Sequence, residues 1–173
     1  MSDKTETAIL SGGCAFIMQQ LLRHPDGVLS TRIGWMGGDG ENPTEQSPGG
    51  HAEAVEVVFD PERISYRTLL DYFFMAHRPD LDEELVGSIY RSEIFCTSDE
   101  QRRVAEETIS DVDASGYWLG KTATKISEAG RFWEVEAELQ DYLQRCLRSA
   151  AKPPFPRHGV EDADRRGHQG ATV

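Results

Sequence analysis

The sequence predicts an α/β (α+β) fold, a two-layer sandwich with helices packed on a mixed β-sheet. Three observations carry this. Strand-like and helix-like stretches alternate through most of the 173 residues, the pattern of layered α/β architectures. The stretch HAEAVEVVFD, residues 51–60, alternates with a period of two, as a strand does. Two later stretches carry helix-start signals, Ser65 ahead of an apolar stripe and Ser98 with Gln101 as a capping box.

Element by element, residues 1–4 are expected to fray, and TETAIL reads as a short strand running into Ser11-Gly12-Gly13. Apolar positions 14, 17, 18, 21 and 22 then form a helical stripe that Pro25 closes. GVLSTRIGW is a second strand, followed by the glycine- and proline-rich loop MGGDGENPTEQSPGG. That loop lacks the Lys-Ser/Thr ending of a phosphate cradle, and loops of such length are more often functional than idle. In the strand that follows, Glu53 shares a face with Val55, Val57 and Phe59. A helix capped by Ser65 carries apolar positions 66, 69, 70, 73 and 74 and ends near His77-Arg78-Pro79. After an acidic loop come a strand, IYRSEIFC, a helix from Ser98 to about Ser115, and a further strand within WLGKTATKIS. A last helix is expected from about Phe132 to Arg148. Residues 1–151 read as one domain, and 152–173, with three prolines and little apolar content, as a mobile tail.

The bulk composition narrows the function. A net charge of −12 argues against nucleic acid and anionic membrane surfaces, both of which reward lysine and arginine. The chain has neither a signal-like segment nor an apolar run of transmembrane length. Three scattered cysteines make neither a disulfide framework nor a zinc site, so a reducing cytoplasm is the expected compartment. No residue pattern calls for a metal, flavin or nucleotide, and no cofactor is expected.

Two residues stand out chemically. Cys14 sits where a loop enters a helix, where first-turn N–H groups and the helix dipole favour the nucleophilic thiolate. The other reading is an inert, buried cysteine. Glu53 lies on the apolar face of its strand and must find a partner or hold a proton, because desolvation penalises its charged form. A protonated carboxyl can serve as a general acid; the alternative is a wet strand end, or pairing with Arg32 or Arg91. A thiolate and a neutral acid together suit attack on an electrophilic centre whose oxygen needs a proton, as in sulfoxide reduction. His51 is either a nearby base or a residue that ends the loop.

Several stretches, in order, resemble the A-type peptide methionine sulfoxide reductases: GGCAF, GVLSTRIGWMGG, ENPT, GGHAEAVEVVFDPERISYRTLLDYFFMAHRP, IYRSEIF and, more weakly, FWEVEAELQDYL. The resemblance spans about residues 7–145. It implies that Cys14 attacks the sulfur of a bound sulfoxide, that Glu53 protonates the oxygen, and that the Tyr90 hydroxyl helps to hold it. Cys14 is left as a sulfenic acid, which a second thiol removes through a disulfide. Cys146 is the candidate resolving thiol, although its place on the apolar face of the last helix favours packing; Cys96 reads as structural. Otherwise a low-molecular-weight thiol or a thioredoxin-like protein supplies the electrons.

The same segments depart from the family pattern around the substrate. The usual GCFWG reads here as GCAFI, so Ala15 and Phe16 replace a Phe-Trp aromatic box. Glu45 stands where a tyrosine follows NPT, Glu84-Leu85 where Asn-Asp is usual, and Leu139 where a histidine is common. Trp35 offers a replacement aromatic wall. These changes point to a divergent member with an altered pocket, reducing an oxidised sulfur compound, a small metabolite other than or beyond methionine sulfoxide. The alternatives are an ordinary peptide methionine-S-sulfoxide reductase, a non-catalytic redox-sensing or ligand-binding module, and a cysteine-dependent acyl transferase built on Cys14 and His51.

Overall fold

The computed structural model describes residues 4–150. Six strands, β1 (Glu6–Ser11), β2 (Val28–Met36), β3 (Ala52–Phe59), β4 (Glu93–Cys96), β5 (Lys125–Glu128) and β6 (Trp133–Glu134), form one sheet in the order β5-β4-β1-β3-β2-β6. All neighbours are antiparallel except β4 and β5. A parallel pair needs a long crossover, and α4 (Asp99–Ser115) supplies it. The other helices are α1 (Ala15–Leu22), α2 (Tyr66–Met75), the single turn α3 (Glu83–Val86) and α5 (Tyr142–Ala150). The sheet is therefore mixed, as expected.

The main core lies between the sheet and α1, α2 and α4. Ala8, Leu10, Val55, Val57, Phe59 and Ile94 face Met18, Leu22, Leu69, Phe73 and Ala105 across it. All five apolar positions expected of α2 are buried, each contributing roughly 1.5–3 kcal/mol on removal from water. The opposite face of the sheet carries a smaller cluster, Ile9, Met36, Ala54 and Phe95, against which Ala129 and Phe132 pack. The helix starts follow the caps. Ser65 Oγ accepts from Thr68 N–H at 3.0 Å and Ser98 Oγ from Gln101 N–H at 3.1 Å. The Gln101 side chain reaches one residue further back than a capping box requires. It accepts from Thr97 N–H at 3.0 Å and donates to the Thr7 carbonyl at 2.9 Å, tying α4 to β1.

Four sequence expectations need correction. Of IYRSEIFC, the last four residues form β4, while Ser88–Tyr90 is a single 3-10 turn. Of WLGKTATKIS, the strand begins only at Lys125. The α1 stripe is displaced: Ala15, Met18, Gln19 and Leu22 are buried, and Ile17 and Leu21 are 51% and 45% exposed. Gln19 can be buried because its amide is used, donating to the Thr31 carbonyl and accepting from Asp141 N–H.

The largest correction is the final helix, which starts at Tyr142 rather than Phe132. Trp133–Glu134 instead pairs with the edge of β2. Val135 N–H donates to the Ile33 carbonyl at 3.1 Å. Gln140 then copies a strand partner, accepting from Ile33 N–H at 2.8 Å and donating to Ile33 O at 2.7 Å. Asp141, with φ of 56°, breaks any helical continuation, and its carboxylate pairs with Arg23 at 2.5 Å. An open sheet edge won over helical spacing. The expected mobile tail, 152–173, lies outside the described residues.

Candidate active site

The sheet brings one end of β1, β2 and β3 together with the turn before β4. β1 stops at Ser11, which is paired with Glu93 of β4, and Leu10 is paired with Val55 of β3. Trp35 of β2 is paired with Glu53 of β3, so both side chains lie on the helix-covered face. The chain leaves β1 through Gly12 and Gly13 and enters α1 at Cys14.

Both glycines are required by their surroundings. A Cβ on Gly12 would lie 2.8 Å from the His77 imidazole. Gly13 has a φ of 70°, a conformation that costs little only for glycine, and its N–H donates to the Tyr90 carbonyl at 3.0 Å. Cys14 is the N-cap residue of α1, and its carbonyl accepts from Ile17 and Met18 N–H. Its side chain makes no capping hydrogen bond, which leaves the partly buried thiol uncommitted at the mouth of the helix.

Glu53 faces this helix mouth. Its Oε2 accepts from Ala15 N–H, the first amide of α1, at 2.9 Å. Burial pushes the carboxyl above its ordinary range; the Ala15 hydrogen bond opposes this and the nearby Glu45 charge reinforces it. A proton is therefore retained to higher pH than on an exposed glutamate. The alternatives of pairing with Arg32 or Arg91 are not realised. Arg32 binds Glu56 and Glu134, and Arg91 binds Glu93. The Tyr90 hydroxyl is also pushed up, first by the Glu53 charge, then by burial, Cys14 and Glu45.

Cys14, Ala15, Phe16, Trp35, Glu45, Glu53 and Tyr90 line one cavity of about 480 Å³. Phe16 leans on the ring of Tyr142, with centroids 5.1 Å apart, and Trp35 is almost fully buried in the opposite wall. Ala15 is itself buried in the core. Two residues from the sequence reading fall elsewhere. His51 is buried, with Nδ1 accepting from Gly38 N–H at 3.1 Å and Nε2 against the Gly40 carbonyl at 2.7 Å. Both ring nitrogens are spent on closing the 37–51 loop, so no lone pair remains to activate Cys14, and the acyl-transfer alternative has no base. Cys146 is exposed on α5, not packed as its spacing suggested, because α5 begins ten residues later than expected and turns that face outward.

The structure adds residues that sequence reasoning missed. Glu134, Val135 and Glu136 complete the cavity wall beside Leu139; these three were hidden inside the stretch read as helix. Arg91 binds the Ser88 carbonyl at 2.9 Å and the Gly50 carbonyl at 3.2 Å, and Glu93 at 2.7 Å in near-complete burial. It thereby fixes the Tyr90 turn against the end of the long loop. His77, beneath Gly12, donates from Nδ1 to the Phe73 carbonyl at 2.7 Å and accepts at Nε2 from Ser92 Oγ at 2.8 Å. Burial lowers its pKa to about 4, against an opposing Phe73 hydrogen bond and Asp80 charge. In the sequence, Arg91 stands out only as a possible partner of Glu53, and His77 only as the end of its helix.

A family model described as peptide methionine sulfoxide reductase matches residues 6–155. The chain belongs to the peptide methionine sulfoxide reductase family. It is 55% identical over 148 residues to the peptide methionine sulfoxide reductase MsrA 1 of Mesorhizobium japonicum, a match covering 84% of this chain and 86% of the relative. Among solved structures it superposes on methionine sulfoxide reductase A of Corynebacterium diphtheriae with a TM-score of 0.70 and 27% identity, covering 94% and 83% of the two chains. It also superposes on Saccharomyces cerevisiae Mxr1, in a complex with Trx2, with a TM-score of 0.55 and 25% identity, covering 82% and 87%. Family membership places the chain among thiol-dependent oxidoreductases, as Cys14 suggested. Curated relatives between 46% and 56% identical carry the same family name and give no sign of a diverged branch. They favour the ordinary family activity over the expected reduction of a different small metabolite. No helix of the described residues is long and apolar enough to cross a membrane.

Proposed function

We propose that this chain reduces methionine sulfoxide in peptides, with Cys14 as nucleophile, Glu53 as proton donor and Tyr90 as a second hydrogen-bond donor to the sulfoxide oxygen. The observation that carries the reading is the Glu53–Ala15 hydrogen bond of 2.9 Å. It sets a carboxyl with a raised pKa against the peptide unit that follows Cys14. Because Oε2 is anchored to the helix, Oε1 is left to carry the proton and meet the substrate. A sulfoxide oxygen held by Glu53 and Tyr90 turns its sulfur towards Cys14, and the methyl group lies against Phe16 and Trp35.

The electron count closes without a cofactor. The Cys14 sulfur attacks the sulfoxide sulfur, the sulfur–oxygen bond is broken, and the oxygen passes to Cys14 with the proton from Glu53. The products are a thioether and a Cys14 sulfenic acid; the substrate sulfur gains two electrons and Cys14 loses two. A second thiol condenses with the sulfenic acid, releasing water and forming a disulfide, and two further thiol electrons restore Cys14. Cys146 is the candidate for that second thiol, since it is exposed whereas Cys96 is buried in the core. Mxr1 has been seen in complex with Trx2, which supports a thioredoxin-type donor here. Residues 1–151 act in this reading as one catalytic domain.

The test is turnover with dithiothreitol of a methionine sulfoxide peptide, each sulfur epimer separately, beside a panel of small oxidised-sulfur metabolites. Conversion of one peptide epimer, abolished in Cys14→Ser, is expected. Conversion of a small metabolite in preference to the peptide would instead favour an altered substrate. Binding without turnover of any compound would favour a sensor.

A further inference from the structure

The cavity wall has one property that reduction of a neutral sulfoxide does not require. Among the described residues its ionisable carboxyl groups are Glu45, Glu53, Glu134 and Glu136, and no lysine, arginine or histidine lines it. Glu53 is taken up by the Ala15 amide. Glu134 shares Arg32 with Glu56, the guanidinium meeting Glu134 at 2.9 Å and Glu56 at 2.6 and 3.0 Å, so one cation serves two carboxylates. Glu45 and Glu136 are exposed, and no ion pair of the described residues involves them. They come from different elements, the 37–51 loop and the segment after β6, and stand at the solvent side of a cavity whose less exposed walls include Phe16 and Trp35. Arg131, close by in sequence, is held over the Trp133 ring at 3.7 Å and does not line the cavity.

We propose that Glu45 and Glu136 select peptides in which the methionine sulfoxide is flanked by lysine or arginine. The inference rests on the function proposed above. The sulfoxide side chain enters the apolar interior, which leaves the residues before and after it at the rim. There a cationic side chain meets carboxylates that no group of the described residues neutralises, while an acidic neighbour meets like charge. The chain's net charge of −12 acts in the same direction at longer range.

Three capped tripeptides carrying methionine sulfoxide between two lysines, two alanines or two glutamates provide the test, with kcat/KM measured under dithiothreitol at low and high ionic strength. The lysine peptide is expected to exceed the glutamate peptide by about tenfold at low salt, the sum of two exposed charge contacts on each side. The gap should narrow as salt screens the rim. Because Glu45 also acts on Glu53, the readout in variants is the lysine-to-glutamate ratio and not the rate itself. The ratio should fall to about twofold or less in Glu45→Gln/Glu136→Gln and reverse in Glu45→Gln/Glu136→Lys. Equal turnover of the lysine and glutamate peptides, or a preference unchanged in both variants, overturns the inference and leaves the reductase reading intact. Failure to turn over any of the three peptides overturns both.

Discussion

At the scale of single residues, Glu53 and Cys14 had the clearest sequence signals, because each broke a local rule. A carboxyl stood on an apolar strand face, and a thiol at a helix entrance after two glycines. The Glu53→Gln variant keeps the hydrogen bond from Ala15 N–H but loses the transferable proton, so its kcat should fall by about 10²-fold or more with binding retained. Steady-state kinetics on a methionine sulfoxide peptide check this. Glu45 gives a second, independent handle on the same proton. Its negative charge helps hold the Glu53 pKa up, so Glu45→Gln should move the alkaline limb of the kcat/KM profile to lower pH, where Glu53 loses its proton sooner. A limb that stays in place would remove Glu45 from the electrostatics of the site. Other residues were illegible for equally local reasons. His51 looked available beside Glu53, yet its ring nitrogens are spent on Gly38 and Gly40, and nothing in its own sequence neighbourhood announces that.

Among the elements, α2, α4 and the strands β1 to β3 were legible because local signals agreed, and α1 was legible in its place but not in its buried stripe. The segment from Phe132 to Asp141 was not. Its apolar residues fall at helical spacing, but a β2 edge with unpaired backbone groups was waiting for a partner, and Gln140 completes that pairing with its side chain. A long-range hydrogen-bond demand of this kind leaves no periodic trace in the segment that answers it. The cost was the part of the cavity wall built by Glu134, Val135 and Glu136. Arg91 shows the converse, a residue whose importance lies wholly in what it joins. It and Glu93 are both almost fully buried, so Arg91→Met leaves an uncompensated carboxylate and should destabilise the fold by about 3–5 kcal/mol. Arg91→Met with Glu93→Leu should recover part of that loss. Urea midpoints of the two variants decide it; equal midpoints for the single variant and the parent would mean that the pair does not hold the Tyr90 turn.

For the molecule as a whole, the alternation of elements predicted the layered class but not the strand order, since pairing partners far apart in sequence are not encoded in any one stretch. The order matters, because it is the adjacency of β2 and β3, and of the Tyr90 turn with β1, that gathers the cavity. The His77 network beneath Gly12 couples this assembly to pH. Its pKa falls from 6.5 in the unfolded chain to about 4 in the fold, so the unfolded state binds the proton more readily between those values. Its stabilising contribution is complete above pH 6.5 and is lost progressively as pH falls towards 4. Denaturation at pH 7 and pH 5 should show the loss, and His77→Gln should flatten this part of the dependence. The measurement that reaches the centre of the account is a single turnover of a methionine sulfoxide peptide by the Cys146→Ser variant without reductant, followed by mass analysis of the protein. One equivalent of thioether should form, with the oxygen recovered on Cys14 as a sulfenic acid; thioether formed without oxidation of Cys14, or formed equally after Cys14→Ser, would contradict it.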